Sequence, residues 1–263
     1  MDSALRTRLE KHIISAQAKI FRSIVGGSFE VLPDWARGYS GLQIPTFNVF
    51  MPRRPAGLND ETLADTAAFF SSRNVVYAVE LVHDQMPFGP DFLAERRYVA
   101  LPPQPAMALR RLPAEPPPPS EISITAVATV PGLTAFCSLQ NAVFDFSFQD
   151  LRRLFPVAQL KDNKIYHYLA FLNEQPVAAG SLVCAEGVGS VWNLGTLDQF
   201  RRLGVASYLL RYILSEAAQK ECSAAMVYSS AQAYKFFSRM GFEIFTQRQW
   251  FLPQNIEYEV EDS

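Results

Sequence analysis

The chain is poor in several residue types that would announce a chemistry. It has three cysteines in 263 residues, Cys137, Cys184 and Cys222, far apart and without metal-ligand spacing. They read as reduced, partly buried thiols of a cytoplasmic protein, not as a disulfide framework. Histidine is equally scarce, with three residues. Charge of one sign is missing too: the net charge is −2, which gives no electrostatic footprint for nucleic acid or an anionic membrane. No apolar run is long enough to span a bilayer, and the N-terminus lacks a basic-then-apolar signal segment. The sequence thus argues against metal, nucleic-acid and membrane partners.

What is present is an ordinary globular composition, 49% hydrophobic and 19% charged. The length suits one large domain or two small ones. Residues 3–24 carry an amphipathic stripe (Leu5, Leu9, Ile13, Ala16, Ile20, Ile24) that predicts a helix packed on a sheet, with His12 at its edge. Strands are predicted at 29–32, 43–50 and 75–82, with a turn-rich connection at 35–41 and helices at 60–70 and 88–95. Residues 97–101 and 107–112 are read as paired strands.

The run PAEPPPP, residues 113–119, cannot sit inside a regular element and favours extended geometry. It predicts a linker between an N-terminal domain, 1–112, and a C-terminal domain, 120–263, the alternative being a stiff loop within one continuous fold. The second half restarts the pattern. A strand at 121–127 precedes helices at 131–144 and 149–155. Strands at 165–172 and 176–184 flank a turn at Asn173-Glu174-Gln175.

The stretch VWNLGTLDQFRRLGVA, residues 191–206, then reads as strand, turn and glycine-containing loop opening a helix at 207–218. Such a loop aims free backbone N–H groups at one point, where the helix dipole adds positive charge. That point suits a phosphate or pyrophosphate. Arg201 and Arg202 could neutralise it, Gly204 allows close approach, and Ala206 keeps the entry small. A strand at 224–228, a helix at 229–240, Gly241-Phe242 and a strand at 243–252 complete the chain.

This order, together with the loop Arg201-Arg202-Leu203-Gly204-Val205-Ala206 and the ending AYKFFSRMGF at 233–242, resembles the GNAT superfamily of N-acetyltransferases over residues 120–252. The first half resembles a degenerate copy. It lacks the glycine loop, and Arg96-Arg97-Tyr98 stands where Gly-Phe would be. The resemblance implies an α/β fold with a mixed, mostly antiparallel sheet flanked by helices, in a tandem arrangement. It implies transfer of an acetyl group from acetyl-CoA to an amine of a small molecule or peptide, by a cytoplasmic monomer or homodimer. Cofactor contacts would come from Leu194, Gly195, Thr196 and Leu197 on the strand, and from Arg201 to Ser207 (Arg202, Leu203, Gly204, Val205 and Ala206 between them) with Ser230. Gly195 in mid-strand fits a bulge or close approach of a ligand.

The tyrosine that the family often uses as general acid is replaced by Phe237, and Tyr234, one turn earlier, is the substitute. Candidate bases are His167 and Glu186, with Asp145 as a third. Phe144, Phe146 and Phe148 are read as core packing rather than as an acceptor pocket. The substitutions at Phe237 and Ser230 leave open a second reading, a catalytically silent coenzyme-A-binding sensor or scaffold.

Overall fold

The protein is seen in a computed structural model that describes residues 2–117 and 121–254. In chain order its elements are α1 (Ser3–Ser23), β1 (Ser28–Val31), β2 (Trp35–Tyr39), β3 (Asn48–Pro52), α2 (Asp60–Ser71), β4 (Ala78–Val82), α3 (Gly89–Ala94), β5 (Tyr98–Ala100) and β6 (Gln104–Leu109). There follow β7 (Ile122–Ala126), α4 (Val130–Phe144), α5 (Phe148–Leu154), β8 (Ile165–Leu172), β9 (Gln175–Ala185), β10 (Val188–Thr196), α6 (Val205–Gln219), β11 (Ala224–Tyr228), α7 (Tyr234–Arg239) and β12 (Glu243–Pro253).

The chain forms two compact units that do not follow the expected cut at the proline run. Among the described residues, the first joins the N-terminal segment through Val25 to Ala106–Phe245; the second joins Gly26–Pro105 to residues 246–254. The helix α1 therefore belongs with the C-terminal half, where its Ala16 packs with Ile165 and Val183. Part of the expected linker, Pro118 and Pro119, lies outside the described residues, as do residues 255–263 of the expected C-terminal domain.

In the first unit the strand order is β6-β11-β10-β9-β8-β7. Strands β7 to β10 are antiparallel neighbours, β10 and β11 are parallel, and β11 pairs antiparallel with β6. The helix α6 buries the predicted stripe Leu209, Leu210, Ile213, Leu214 and Ala217 in a core that includes Tyr168, Leu182 and Phe237. The other sheet face takes α4, whose buried stripe is Leu133, Phe136, Cys137 and Gln140.

In the second unit β1, β2 and β3 form an antiparallel meander, β3 and β4 are parallel, and β12 pairs antiparallel with β4 and β5. The succession β1-β2-β3-α2-β4-α3-β5 repeats β8-β9-β10-α6-β11-α7-β12 element for element. Arg97 (φ +61°) stops α3 in the left-handed conformation that Gly241 (φ +88°) adopts after α7. A glycine reaches that conformation without the penalty of a Cβ, whereas Arg97 carries about 1–2 kcal/mol of strain.

Four local expectations are corrected. Residues 35–39, expected in a turn-rich connection, are a strand. Residues 45–47, expected in a strand, form a single 3-10 turn opened by Pro45. Strands β5 and β6 pair with β12 and β11, not with each other. The last helix starts at Tyr234 rather than Ser229, because the Ser230 hydroxyl accepts the Ala233 N–H and holds the preceding residues in a turn.

Candidate active site

The site is built where β10 leaves the sheet. Trp192 pairs with Ser181 and Gly195 with Ala179, so three steps on β10 match two on β9. One extra residue is therefore held in a bulge at Asn193-Leu194, and Asn193 takes φ +52°. Gln140 of α4, fully buried, donates its amide to the Asn193 carbonyl at 2.8 Å and pins the bulge.

Parallel pairing of β10 with β11 covers Val188–Ser190 against Ala224–Met226; past this the strands part. Trp192 and Tyr228 meet edge-to-face across the opening, ring centres 6.3 Å apart. Trp192 packs against the small cluster that Ala16 of α1 forms with Ile165 and Val183.

The direction of each backbone N–H follows from the register. Leu197 donates to the Val177 carbonyl of β9 at 3.0 Å. N–H groups alternate along a strand, so the N–H of Thr196 points away from β9 and into the opening. The N–H of Leu197 is therefore withdrawn from the donor role expected of it. Gly195, paired with Ala179 two residues earlier, is turned to β9 as well. The reason for glycine at 195 is also different from the one expected. A Cβ there would lie 2.5 Å from Val143 Cγ1 and 3.0 Å from Phe144 Cε2, so the residue that approaches closely is the end of α4.

The loop that follows makes one 3-10 turn at Asp198–Phe200. Arg201 is turned back on it, with its guanidinium 2.8 Å from Asp198 and 3.4 Å from the Thr196 carbonyl. Arg202 takes φ +65°, and Leu203 is exposed. Gly204 is the N-cap of α6 at φ +80°, with nothing within 4 Å of where a Cβ would stand. The helix has no side-chain cap and no acidic residue in its first turn. Tyr208 is the first to bond back to the cap, to the Gly204 carbonyl, so the N–H groups of Val205, Ala206 and Ser207 point out of the helix end.

The equivalent helix of the other unit, α2, is built in the opposite way. Asn59 caps it, accepting from Thr62 N–H at 2.9 Å while Thr62 Oγ1 accepts from Asn59 N–H. Asp60 and Glu61 occupy its first turn. A Cβ on Gly57, in the loop before it, would lie 2.0 Å from the Asp34 carbonyl oxygen. Its donors are satisfied internally and its electrostatics repel an anion.

The expected proton-transfer residues fare differently. His167 is buried between Phe136 and Phe155. Its Nε2 meets Gln159 Oε1 and its Nδ1 meets Ser181 Oγ, both at 2.8 Å. The Gln159 amide nitrogen donates to Ser23 Oγ and the Leu154 carbonyl, which fixes its oxygen toward the ring. The proton therefore sits on Nε2, Nδ1 accepts from Ser181, and burial lowers the pKa to about 4. Both nitrogens are committed inside the core, which removes His167 as the base.

Glu186 sits in the turn that starts β10 and accepts from Ser15 Oγ at 2.8 Å. At about 3.3 Å per residue the nine residues to Gly195 span up to roughly 30 Å, so it lies at the wrong end of the strand. Tyr234 is exposed at the start of α7, while Phe237 is buried in the core. Ser230, expected as a cofactor contact, is exposed and caps the turn before α7.

Two features were misjudged from sequence. Phe144 and Phe148 are exposed and Phe146 is half-buried, so this trio is not core. His12, expected at an edge, is fully buried with Nδ1 2.9 Å from the Ala185 carbonyl. Gln140 was missed altogether; its signal is a lone amide in the buried stripe of α4. Among the described residues no group of three or more His, Cys, Asp or Glu could hold a metal ion, and no helix is long and apolar enough to cross a membrane.

A bulged strand parts from its parallel neighbour and feeds an uncapped helix through a glycine loop, and the architecture that holds it is similar in fold to solved GCN5-related N-acetyltransferases. Residues 163–244 match the family model described as the acetyltransferase (GNAT) domain. A GCN5-related N-acetyltransferase from Kribbella flavida superposes with a TM-score of 0.71 at 19% identity, over 92% of this chain and 95% of that one. One from Sphaerobacter thermophilus gives 0.59 at 15% identity, over 83% and 76%. A tandem GNAT protein from the clavulanic acid biosynthesis pathway gives 0.58 at 11% identity, over 86% and 80%. At these identities the likeness is one of fold. No curated protein matches the chain in sequence.

Proposed function

We propose that the protein is an acetyl-CoA-dependent N-acetyltransferase whose one coenzyme site lies at the N-terminus of α6. The observation that carries this reading is the contrast between the two equivalent helices. The first turn of α6 presents three outward N–H groups, no cap and no acid, beside the open Gly204; α2 is capped and acidic. A pyrophosphate fits the first and is repelled by the second. The Arg201–Asp198 pair is exposed on both sides, so an incoming phosphate can compete for the guanidinium.

Bound there, the thioester supplies the acyl group: the amine nitrogen attacks its carbonyl carbon, the C–N bond forms, the C–S bond breaks, and the thiolate leaves. The Thr196 N–H, directed away from β9, would stabilise charge developing on the carbonyl oxygen. The amine loses one proton and the thiolate gains one, so none is consumed overall. Tyr234 is the residue we assign to proton delivery, being exposed at the head of α7.

The second reading, a coenzyme-A-binding sensor, is favoured by the buried Phe237, which has no proton to give. Thermal unfolding with acetyl-CoA at about a hundred times its dissociation constant tests the site. Binding at that saturation stabilises by about 2.7 kcal/mol, a rise of roughly 5–10 °C. No rise removes both readings. A rise without thiol release in the presence of amines leaves the sensor.

A further inference from the structure

The turn between α4 and α5 is three residues long, Asp145 to Ser147, and is fixed at both ends. Asp145 is left-handed (φ +54°), and its N–H is bonded to the Asn141 carbonyl at 3.0 Å. The Asn141 amide donates to the Phe146 carbonyl at 2.6 Å. Ser147 caps α5 through the Asp150 N–H and donates its hydroxyl to the Asp150 carboxylate at 2.7 Å. A turn locked in this way presents its side chains in one arrangement, so little ordering is lost when something binds to them.

What it presents is unusual for a surface turn. Phe144 and Phe148 are each 40% exposed, Phe146 is half-buried, and the acidic Asp145 among them is exposed. The turn also stands at the point of transfer. Phe144 reaches the Cα of Gly195 so closely that a Cβ there would lie 3.0 Å from its ring, and the next residue is Thr196, whose N–H faces the opening.

We infer that the acceptor is an amine carrying an aromatic or similarly bulky apolar group, and that the rings of Phe144, Phe146 and Phe148 take that group while Asp145 takes the ammonium. This rests on the acetyltransferase reading and narrows its acceptor. Ring faces and one acid side chain in the same turn suit an organic cation with an apolar body. A small hydrophilic amine would leave the rings wet and gain only the charge. The step itself balances as R–NH3+ plus acetyl thioester giving R–NH–acetyl, the free thiol and one proton released to solvent.

The test compares phenethylamine and 4-phenylbutylamine with ethanolamine and 2-methoxyethylamine, following release of coenzyme A thiol and formation of the amide. The phenyl amines are expected to exceed the polar ones by about tenfold or more in kcat/KM. Phe148→Ser is expected to cut that ratio to roughly threefold, with Phe148→Leu between it and the parent. Asp145→Asn is expected to raise KM for every amine about tenfold while leaving the acetyl-CoA thermal shift intact. Equal or greater turnover of the polar amines overturns the inference alone, as does an undiminished ratio in Phe148→Ser. Acetyl-CoA binding with no turnover of any amine overturns it in favour of the sensor. Absence of acetyl-CoA binding overturns the acetyltransferase reading beneath it.

Discussion

Phe144 and Gly195 share one space. The ring at the end of α4 lies where a side chain at 195 would have to stand, 3.0 Å from an ideal Cβ, with Val143 closer still at 2.5 Å. Gly195→Ala must therefore displace the Val143 side chain, the Phe144 ring or both. Overpacking of this kind costs about 1–3 kcal/mol. We expect a lower Tm in thermal denaturation. We also expect a larger loss in kcat/KM than in acetyl-CoA affinity, because the crowded side chains lie at the end of α4 and not on α6. A variant as stable and active as the parent would show that the contact is readily relaxed.

The two equivalent helices predict opposite outcomes for substitutions at their caps. Gly204→Glu places a carboxylate and a strained left-handed residue beside the outward N–H groups of α6. It is expected to abolish the thermal shift with acetyl-CoA. Asn59→Ala removes the cap of α2 and is expected to cost about 1 kcal/mol of stability. It should leave the acetyl-CoA shift unchanged, since the proposed site lies at α6. A shift that survives Gly204→Glu would place the coenzyme elsewhere.

Much of this was legible in the sequence, for physical reasons. The stripe of α6 is a strict helical repeat whose five apolar residues are all buried. The glycine loop was readable because Gly204 allows close backbone approach immediately before the apolar stripe of α6. The contribution of α1 to the first unit was not readable, because a stripe specifies that something covers it and not which sheet does. Strand partners failed for the same reason: β5 and β6 look like a hairpin, but their partners β12 and β11 lie more than a hundred residues on. His167 sits in an alternating strand, and only the fold reveals that Gln159 and Ser181 consume both nitrogens. The exposed phenylalanines were misread because an aromatic residue near a helix end is usually core, and burial is decided by neighbours distant in sequence.

Tyr234 carries the proton role only if its hydroxyl matters apart from its ring. Tyr234→Phe keeps the ring at the head of α7 and removes the hydroxyl. We expect kcat to fall about tenfold with KM for the amine little changed, the pattern of an interaction made in the transition state. A leaving thiolate is weakly basic, so the loss should be smaller than for an amine leaving group. An unchanged kcat would retire Tyr234 and leave the thiolate to depart unaided.

The two buried histidines predict how the fold responds to acid. Burial lowers both to about 4. For His12 the Ala185 carbonyl and the Glu186 charge offset part of that effect; for His167 burial acts alone. In the unfolded chain both titrate near 6.5. Above that value both states are neutral and these groups add no pH dependence. Between 6.5 and 4 the unfolded chain binds protons that the folded core refuses, so stability falls as pH falls, by roughly 3 kcal/mol per histidine at the lower limit. Asp2 and Asp60, held below 3.8 by the Leu5 N–H and by Arg96, add their own loss only in more acid solution. His12→Asn can keep a donor to Ala185 but cannot titrate. Denaturant unfolding near pH 5 should show the slope of stability against pH reduced by about 1.4 kcal/mol per unit, one proton's worth. An unchanged slope would mean that His12 takes up its proton without leaving the core.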